Sequence, residues 1–312
     1  MRISLNIGGD VLSAPVPPRT VVEQAKAAEA AGFATAWTSH IMRGTDSFAA
    51  ITAAGLATSR IELGIGVVPT YPRHPYVMAQ EAATVQALVG GRLTLGIGVS
   101  HKPTMGMLGL EYLSPAEHLR EYLHVLGPLV TDGKVSYSGR YFEVEGGFTV
   151  PETSPVSIVV GALGPKMVRV AGELADGTVT WLAGPRGLGE HIVPQLTKAA
   201  ANAGRAAPRV IVGLPVALAE ADAARATVLD TFARYGGLDN YRRQLEREGV
   251  ESVADMAVVG DEAAVLRQLA ALRDAGATEL WAVPFPVGQD ARASLGRTTQ
   301  FLAGLAAVHD RT

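Results

Sequence analysis

Short runs of β-branched and aliphatic residues alternate along this chain with longer segments whose apolar residues recur at helical spacing. The short runs predict strands and the longer segments predict helices. The predicted strands are Arg2–Ile7, Ala34–Thr38, Ile61–Val68, Arg92–Ile97, Val156–Val160, Gly177–Trp181, Arg209–Leu218 and Thr278–Phe285. The predicted helices are Thr20–Ala31, Ser47–Thr58, Pro75–Val89, Ser114–Val130, Pro165–Leu174, a segment that ends near Ala203, Asp261–Ala275 and a segment near Ala291–Ala307. This alternation is typical of βα units and a parallel sheet.

Two segments interrupt the alternation. Two short β runs within Lys134–Val144 predict a hairpin inserted after the fourth helix. The charged, helical-looking residues between Glu220 and Val259 predict a helical insertion before the eighth strand. At the start of the fourth helix, Ser114 and Glu117 have the spacing of a capping box.

Eight strands, each followed by a helix, within 312 residues predict an α/β fold of the (β/α)8 TIM barrel type. A doubly wound open sheet is the alternative. We expect residues 1–312 to form a single barrel domain. In such a barrel the chemistry lies at the carboxyl ends of the strands, so polar residues there are the candidates for a site.

Composition excludes several classes of protein. A hydrophobic content of 48%, a charged content of 18% and a net charge of −3 exclude a disordered or collagen-like chain. Because cysteine is absent, disulfides, a thiolate nucleophile, iron–sulfur clusters and cysteine-ligated zinc are excluded. The 27 basic and 30 acidic residues create no net positive field, so neither nucleic acid nor a membrane surface is an expected partner. Without a spanning segment or a secretory signal pattern, the sequence predicts a cytoplasmic protein.

Several familiar catalytic motifs are also missing. The chain has no G-x-G-x-x-G after its first strand, no phosphate loop ending in Gly-Lys-Ser/Thr, no H-E-x-x-H and no G-x-S-x-G. The seven histidines are spread along the sequence and show no i, i+4 pairing with carboxylates. We therefore predict no metal site.

Polar and small residues follow the second and third predicted strands. The second strand ends in Ala36-Trp37-Thr38-Ser39-His40. The imidazole of His40 could hold a cofactor or donate a proton to a substrate, or it could only cap the strand end. The third strand contains Gly64-Ile65-Gly66-Val67-Val68. Its glycines fit either a close ligand or small-residue packing inside the barrel.

The fourth and fifth strands end in similar small residues. The fourth ends in Gly96-Ile97-Gly98-Val99-Ser100-His101, a weak signal because barrels use glycine to fit their interiors. The fifth continues into Gly161-Ala162-Leu163-Gly164-Pro165-Lys166-Met167. Such a loop leaves backbone N–H groups free at a helix amino terminus, where a phosphate binds well, although an ordinary tight βα loop has the same composition.

Taken together, motifs along nearly the whole chain resemble the bacterial luciferase-like flavin and deazaflavin oxidoreductase family, and within it the coenzyme F420-dependent branch. The motifs are Ala36-Trp37-Thr38-Ser39-His40, Leu63-Gly64-Ile65-Gly66-Val67, Arg73-His74-Pro75, Gly91-Arg92-Leu93-Thr94-Leu95-Gly96-Ile97-Gly98, His118-Leu119-Arg120-Glu121-Tyr122, Gly139-Arg140-Tyr141-Phe142, Ala175-Asp176-Gly177 and Val258-Val259-Gly260-Asp261.

The resemblance implies a barrel that holds the tricyclic ring of F420 at the carboxyl ends of the strands and transfers hydride between it and a small organic substrate. His40 is the implied catalytic residue, for protonation of the substrate or the ring. The implied cofactor-binding residues are Ser39, His40, Gly66, Val67, Val99, Ser100, His101, Gly161, Ala162, Leu163, Gly164 and Met167. The resemblance further implies a cis peptide at Gly66–Val67, which would buttress the ring, and a homodimer.

The chain departs from the family pattern at two places. Ser39 stands where the family often has Asp, and Ser100 and His101 stand where it often has Gly and an acidic residue. Two alternatives therefore stay open. One is an FMN-dependent luciferase-like monooxygenase that uses reduced flavin and oxygen, and the other is a non-catalytic flavin- or deazaflavin-binding protein. Four further residues either line the substrate side of the site or only pack in the core. They are Trp181, Met42, Phe48 and Phe285.

Overall fold

A computed structural model of the chain describes residues 1–9, 16–42 and 44–309. Its strands are β1 (Arg2–Ile7), β2 (Thr35–Ser39), β3 (Glu62–Pro69), β4 (Leu93–Gly98), β5 (Lys134–Ser138), β6 (Glu143–Gly147), β7 (Ser157–Gly161), β8 (Gly177–Trp181), β9 (Arg209–Leu218), β10 (Val258–Gly260) and β11 (Glu279–Pro284).

The helices lie between the strands, as the alternation predicts. The α-helices are α1 (Pro18–Ala30), α2 (Ser47–Leu56), α3 (Pro75–Leu88), α4 (Lys102–Met107), α5 (Pro115–Thr131), α6 (Pro165–Leu174), α7 (Pro185–Gly187), α8 (Val193–Asn202), α9 (Ala221–Gly236), α10 (Asp239–Glu248), α11 (Glu262–Asp274) and α12 (Ala291–His309). A π-helix, Leu188–Ile192, joins α7 to α8, and a 3-10 helix, Val253–Met256, precedes β10. Among the described residues, no helix is long and apolar enough to cross a membrane.

Eight parallel strands close into a barrel. Their order is β1, β2, β3, β4, β7, β8, β9 and β11, and β11 pairs again with β1. Because β9 pairs with both β8 and β11, the sheet has no break, and the open-sheet alternative is wrong. The prediction of a (β/α)8 barrel is confirmed.

Both predicted interruptions are present, and the structure contains one strand that the sequence did not predict. β5 and β6 form an antiparallel hairpin after α5, and α9 and α10 form the helical insertion. The last residues of that insertion, Val258–Gly260, pair in parallel with the end of β9 as an additional strand. This strand has only three residues and ends a charged segment. So short an apolar run cannot be distinguished from a loop by its sequence pattern.

Helix starts follow side-chain signals at some positions and not at others. Asp46 accepts a hydrogen bond from the backbone N–H of Ala49 at the start of α2, as expected of an N-cap. The predicted capping box at α5 is wrong. Ser114 has a left-handed backbone, with φ of 40°, and its side chain makes no capping hydrogen bond. An N-cap side chain reaches the first-turn N–H groups from an extended backbone, which Ser114 lacks.

Aromatic and aliphatic side chains fill the interior of the barrel. The ring centroids of Trp37 and Trp281 lie 5.5 Å apart in a stacked arrangement, and Val159, Val179 and Ile211 pack with them. A second, larger apolar layer lies between the strands and the surrounding helices. The interior is therefore a packed core rather than a channel.

Charged residues close the amino-terminal end of the barrel. Arg209 on β9 donates to Glu62 on β3 and to Glu279 on β11, each at 2.8 Å. Glu279, 1% exposed, also accepts from the Trp37 indole N–H at 2.8 Å and from the Ser4 hydroxyl at 2.6 Å. These charges satisfy one another at the base, so the carboxyl end is where unsatisfied polar groups can meet a ligand.

Candidate active site

The predicted site residues lie at the carboxyl ends of four strands that are neighbours in the barrel, β2, β3, β4 and β7. Ser39 on β2 lies in register with Gly66 on β3, and Ile97 on β4 lies in register with Val160 on β7. Segments that are far apart in sequence are thus brought to one side of the barrel rim.

The third strand is irregular where the site is predicted. The Gly66–Val67 peptide is cis, as the family resemblance implies, and the pairing of β3 with β4 shifts between Ile65 and Val68. The Val67 side chain lies beside the glycines of the next strands. A Cβ built on Gly98 would stand 2.9 Å from Val67 Cγ2, and one on Gly161 would stand 3.4 Å from both Val67 methyl groups.

The sequence left open whether the β3 glycines make room for a ligand or for packing, and the structure shows packing on their inner side. A Cβ on Gly64 would collide with the Trp37 ring, and one on Gly66 would stand 2.5 Å from the Trp281 ring. A Cβ on Gly96 would collide with the carbonyl oxygen of Ile65. These glycines therefore let large rings and a bulged neighbouring strand fit inside the barrel.

In the segment after β4, Ser100 has a backbone conformation that favours glycine, the residue that the family often has at this position. Ser100 has φ of 59°, in the left-handed region where glycine is favoured. The Tyr112 hydroxyl donates to the Ser100 carbonyl oxygen at 3.1 Å, and the Tyr112 ring stacks on Tyr71, which in turn stacks on His118 with centroids 4.0 Å apart. His101 lies on the other side of this segment, with its ring 6.2 Å from that of Tyr241 on α10.

The loop after β7 leads into α6 without a side-chain cap. Gly164 precedes the helix in an extended conformation, and the first turn of α6 contains no acidic residue. The backbone N–H groups there are suited to an anion such as a phosphate. Arg247 of α10 donates to the Leu163 carbonyl oxygen at 2.9 Å. Ala162 is buried and Met167 packs against the core, so their side chains form the floor of this loop.

His40 lies directly after β2 in a polar, half-buried environment. Its Nδ1 is 2.7 Å from the hydroxyl oxygen of Ser47, the first residue of α2. Burial, together with the positive charge of Arg73, lowers the pKa of His40 to about 4, and Asp46 opposes this shift. The imidazole is therefore neutral near pH 7.

A network of charges fixes the surroundings of this histidine. Arg73 donates to the Asp46 carboxylate at 2.9 Å and lies 3.2 Å from the carboxylate of Glu81 on α3. Its guanidinium also lies over the Phe48 ring, 5.6 Å from the centroid. Arg73 is thus held by two carboxylates and an aromatic ring.

Five buried side-chain polar atoms have no hydrogen-bond partner within the described ranges, and two of them belong to residues at the carboxyl ends of barrel strands. These two are the hydroxyl oxygen of Thr70, which follows β3, and the indole nitrogen of Trp181, at the end of β8. Buried polar atoms are usually satisfied, so these two fit a site that binds a ligand with polar atoms. Of the proposed substrate wall, Phe48 and Phe285 are buried in the core, whereas Met42 and Trp181 are half-buried.

Sequence reasoning missed the groups that surround its candidates. Ser47, Thr70 and the aromatic partners of Ser100 went unassigned, and Arg73 appeared only as a family motif. The signal available was the N-cap pattern of Asp46 before an apolar helix, which places residue 47 at a helix start. In the part of the chain that the structure describes, no three His, Cys, Asp or Glu residues could hold a metal ion.

Comparisons with known proteins agree with the fold. The sequence model of the luciferase-like monooxygenase family matches residues 1–279. The 5,10-methylenetetrahydromethanopterin reductase of Methanopyrus kandleri is 27% identical in an alignment of 318 residues including gaps. The alignment covers 88% of this chain and 90% of that protein.

Solved structures share the fold over almost the full length. The coenzyme F420 dependent tetrahydromethanopterin reductase from Methanopyrus kandleri has a TM-score of 0.81 at 24% identity, with 99% of each chain covered. The oxygenating constituent of 3,6-diketocamphane monooxygenase from Pseudomonas putida, in complex with FMN, has a TM-score of 0.75 at 19% identity, with 99% of this chain and 98% of that chain covered.

The fold and the site together define a (β/α)8-barrel enzyme whose polar groups converge at the carboxyl rim. The chain belongs to the luciferase-like monooxygenase family.

Proposed function

We propose that this protein is an oxidoreductase that transfers a hydride between coenzyme F420 and a small organic substrate. The observation on which the proposal rests is the group of four neighbouring strand ends that combine small residues, an uncapped helix start and the neutral imidazole of His40. The similarity to an F420-dependent reductase over almost the whole chain supports the choice of cofactor.

The residues at the rim fit such a cofactor. In this proposal Gly161, Ala162, Leu163 and Gly164 hold the phosphate with the backbone N–H groups that begin α6, and Met167 supports the loop from below. The unpartnered Thr70 hydroxyl and Trp181 indole N–H supply polar contacts for a ligand. When bound, the deazaflavin supplies the hydride-transferring carbon.

The remaining predicted residues surround the ring in this proposal. Gly66 and Val67 on β3, Ser39 at the end of β2 and the following His40 would contact the ring. Val99, Ser100 and His101, which follow β4, would line the adjoining part of the site, where the Tyr112 hydroxyl holds the left-handed Ser100. The protein thus orients the reactants and excludes water, which are the main contributions of a protein to cofactor chemistry.

His40 is the proposed catalytic residue. It is neutral near pH 7, so it can donate a hydrogen bond or exchange a proton with a substrate oxygen. No carboxylate occupies residue 39, and the group at Nδ1 is the Ser47 hydroxyl.

An anaerobic assay with F420 and a panel of alcohols, carbonyl compounds and imines tests the proposal. We expect turnover by the wild-type protein and a loss of at least about a hundredfold in kcat for His40→Gln. The exposed His124, whose ring stacks on Tyr137, provides a matched control, and His124→Gln should keep full activity.

Two results would overturn this proposal in favour of the alternatives. Turnover that requires FMN and oxygen would identify a flavin monooxygenase, the class of the Pseudomonas putida neighbour. F420 binding without turnover of any substrate, and with no effect of His40→Gln, would identify a non-catalytic binding protein.

We further propose that residues 1–312 form a single domain that pairs as a homodimer in the cytoplasm. Leu56 at the end of α2 and Leu88 at the end of α3 are 65% and 49% exposed, which supports an interface on these helices. Light scattering of the purified protein should give twice the chain mass of 32.5 kDa, and a mass of one chain would contradict the dimer.

A further inference from the structure

One side of the His40 ring is occupied by a hydroxyl group. Ser47 is 2% exposed, and its oxygen lies 2.7 Å from His40 Nδ1. Ser47 is the first residue of α2, and the preceding Asp46 is the N-cap. The helix start therefore fixes the hydroxyl in place, and the hydroxyl can fix the ring.

Among the described residues, the carboxylates near this ring are engaged elsewhere. The Asp46 carboxylate accepts from the Ala49 N–H at 3.1 Å and from Arg73 at 2.9 Å, and Glu81 pairs with Arg73 from the other side. A carboxylate at Nδ1 would accept a hydrogen bond from the ring N–H and stabilise the imidazolium. A hydroxyl does not stabilise the imidazolium in this way, so Ser47 leaves the neutral ring favoured.

The electrostatics decide which of the two groups donates. The amino end of α2 has a partial positive charge, and Arg73 adds a full positive charge nearby. Both favour a lone pair rather than an N–H on the ring nitrogen that faces the helix start, and the Asp46 carboxylate, whose effect on the ring is smaller than that of Arg73, offsets them only in part. The Ser47 hydroxyl is therefore the donor and Nδ1 the acceptor, and the ring proton lies on Nε2.

We propose that Ser47 is a positioning residue that fixes His40 as its Nε2–H tautomer, so that a substrate oxygen meets a neutral hydrogen-bond donor. This inference rests on the proposed function for its consequence in catalysis. It also narrows the substrate class, because a neutral N–H donor suits a compound with a hydrogen-bond-accepting oxygen, such as a carbonyl group.

Nitrogen NMR of histidine-labelled protein without cofactor tests the tautomer directly. Near neutral pH we expect His40, assigned with the His40→Gln variant, to show a protonated Nε2 and an unprotonated Nδ1. Ser47→Ala should give a mixture of tautomers, and Ser47→Thr, which keeps the hydroxyl, should restore one. Asp46→Asn is the matched control at the same helix start, because Asn also caps helices and the tautomer should persist.

A protonated Nδ1 in the wild-type protein, or an unchanged single tautomer in Ser47→Ala, would overturn the inference. Kinetics provide a second readout. Ser47→Ala should lower kcat about tenfold with little change in KM, and Ser47→Thr should recover most of it. Because the NMR experiment needs no cofactor, failure of F420 turnover in the wild-type protein would contradict the proposed function and leave the tautomer result unaffected.

Discussion

At the scale of single residues, burial and two opposing charges set the protonation of His40. Burial and Arg73 lower its pKa, whereas Asp46 raises it. We therefore expect Arg73→Gln to raise the pKa of His40 and Asp46→Asn to lower it further. Histidine NMR titrations measure both variants, and a pKa in Arg73→Gln at or below the wild-type value would show that Arg73 does not act on this ring.

Buried histidines also make stability depend on pH. Burial lowers the pKa of His118 to about 4, and Glu121 opposes the shift. In the unfolded chain the histidine pKa returns to its ordinary value of 6.5, so the unfolded state takes up the proton first as pH falls. Stability is then lost between pH 6.5 and about 4, by on the order of 1–3 kcal/mol for one such histidine.

Replacing the ring tests this expectation. His118→Phe keeps the aromatic stack on Tyr71 but removes the titrating nitrogen, so the variant should lose less stability than the wild type between pH 6.5 and 4.5. Urea unfolding at the two pH values measures the difference. His124→Phe, at an exposed position, should keep the wild-type dependence, and an equal acid loss in His118→Phe would contradict the account.

The residue scale also shows the limit of prediction from sequence. His40 could be predicted because it follows a strand in a fold whose strand ends meet. Its partner Ser47 begins the helix that follows the same strand, and Arg73 lies in the next βα segment, so their distances to the ring depend on how the loop folds and how the two segments pack. No local pattern in the sequence encodes those distances.

At the scale of elements, the hairpin β5–β6 is joined to α5 through one carboxylate. Glu121 accepts from the backbone N–H groups of Arg140, Tyr141 and Phe142 at 3.0, 2.8 and 3.3 Å. Glu121→Ala should therefore reduce the free energy of unfolding by about 1–3 kcal/mol. Glu117 on the same helix makes only an exposed pair at 3.8 Å with Arg140, so Glu117→Ala should cost less than about 0.5 kcal/mol.

Chemical denaturation of the two variants checks this difference. Equal losses of stability would show that the three backbone hydrogen bonds do not hold the hairpin. Residual activity is not needed for the comparison, because both positions lie outside the proposed catalytic group.

Long periodic elements were predictable and short or irregular ones were not. β1, α6, β8 and β9 have the predicted bounds because each is an apolar or amphipathic run with clear ends. The six-residue α4 and the three-residue β10 are too short to show a period. The failed capping box at Ser114 depends on a left-handed backbone that residue type alone does not reveal.

At the scale of the whole molecule, the charge network at the base joins five barrel strands, β1, β2, β3, β9 and β11. Glu279, with its partners Arg209, Ser4 and Trp37, is buried at the centre of this network. Glu279→Ala leaves the Arg209 charge without this carboxylate, so we expect a loss of about 3–5 kcal/mol in thermal or urea unfolding. The exposed Asp274 is a suitable control, and Asp274→Ala should be nearly neutral. Similar stability of the two variants would contradict a structural role for the base network.

The barrel separates stability at its base from chemistry at its rim. The base charges are paired with one another, whereas unpartnered polar atoms, an uncapped helix start and a neutral histidine lie at the carboxyl end. On this division we propose the rim as the place for a bound cofactor. The proposed hydride transfer between F420 and a substrate would take place there.

Fluorescence titration of the purified protein with F420 and, separately, with FMN tests the choice of cofactor on which the proposed hydride transfer depends. We expect micromolar or tighter binding of F420 and much weaker binding of FMN. Tighter binding of FMN, or binding of neither cofactor, would contradict that choice.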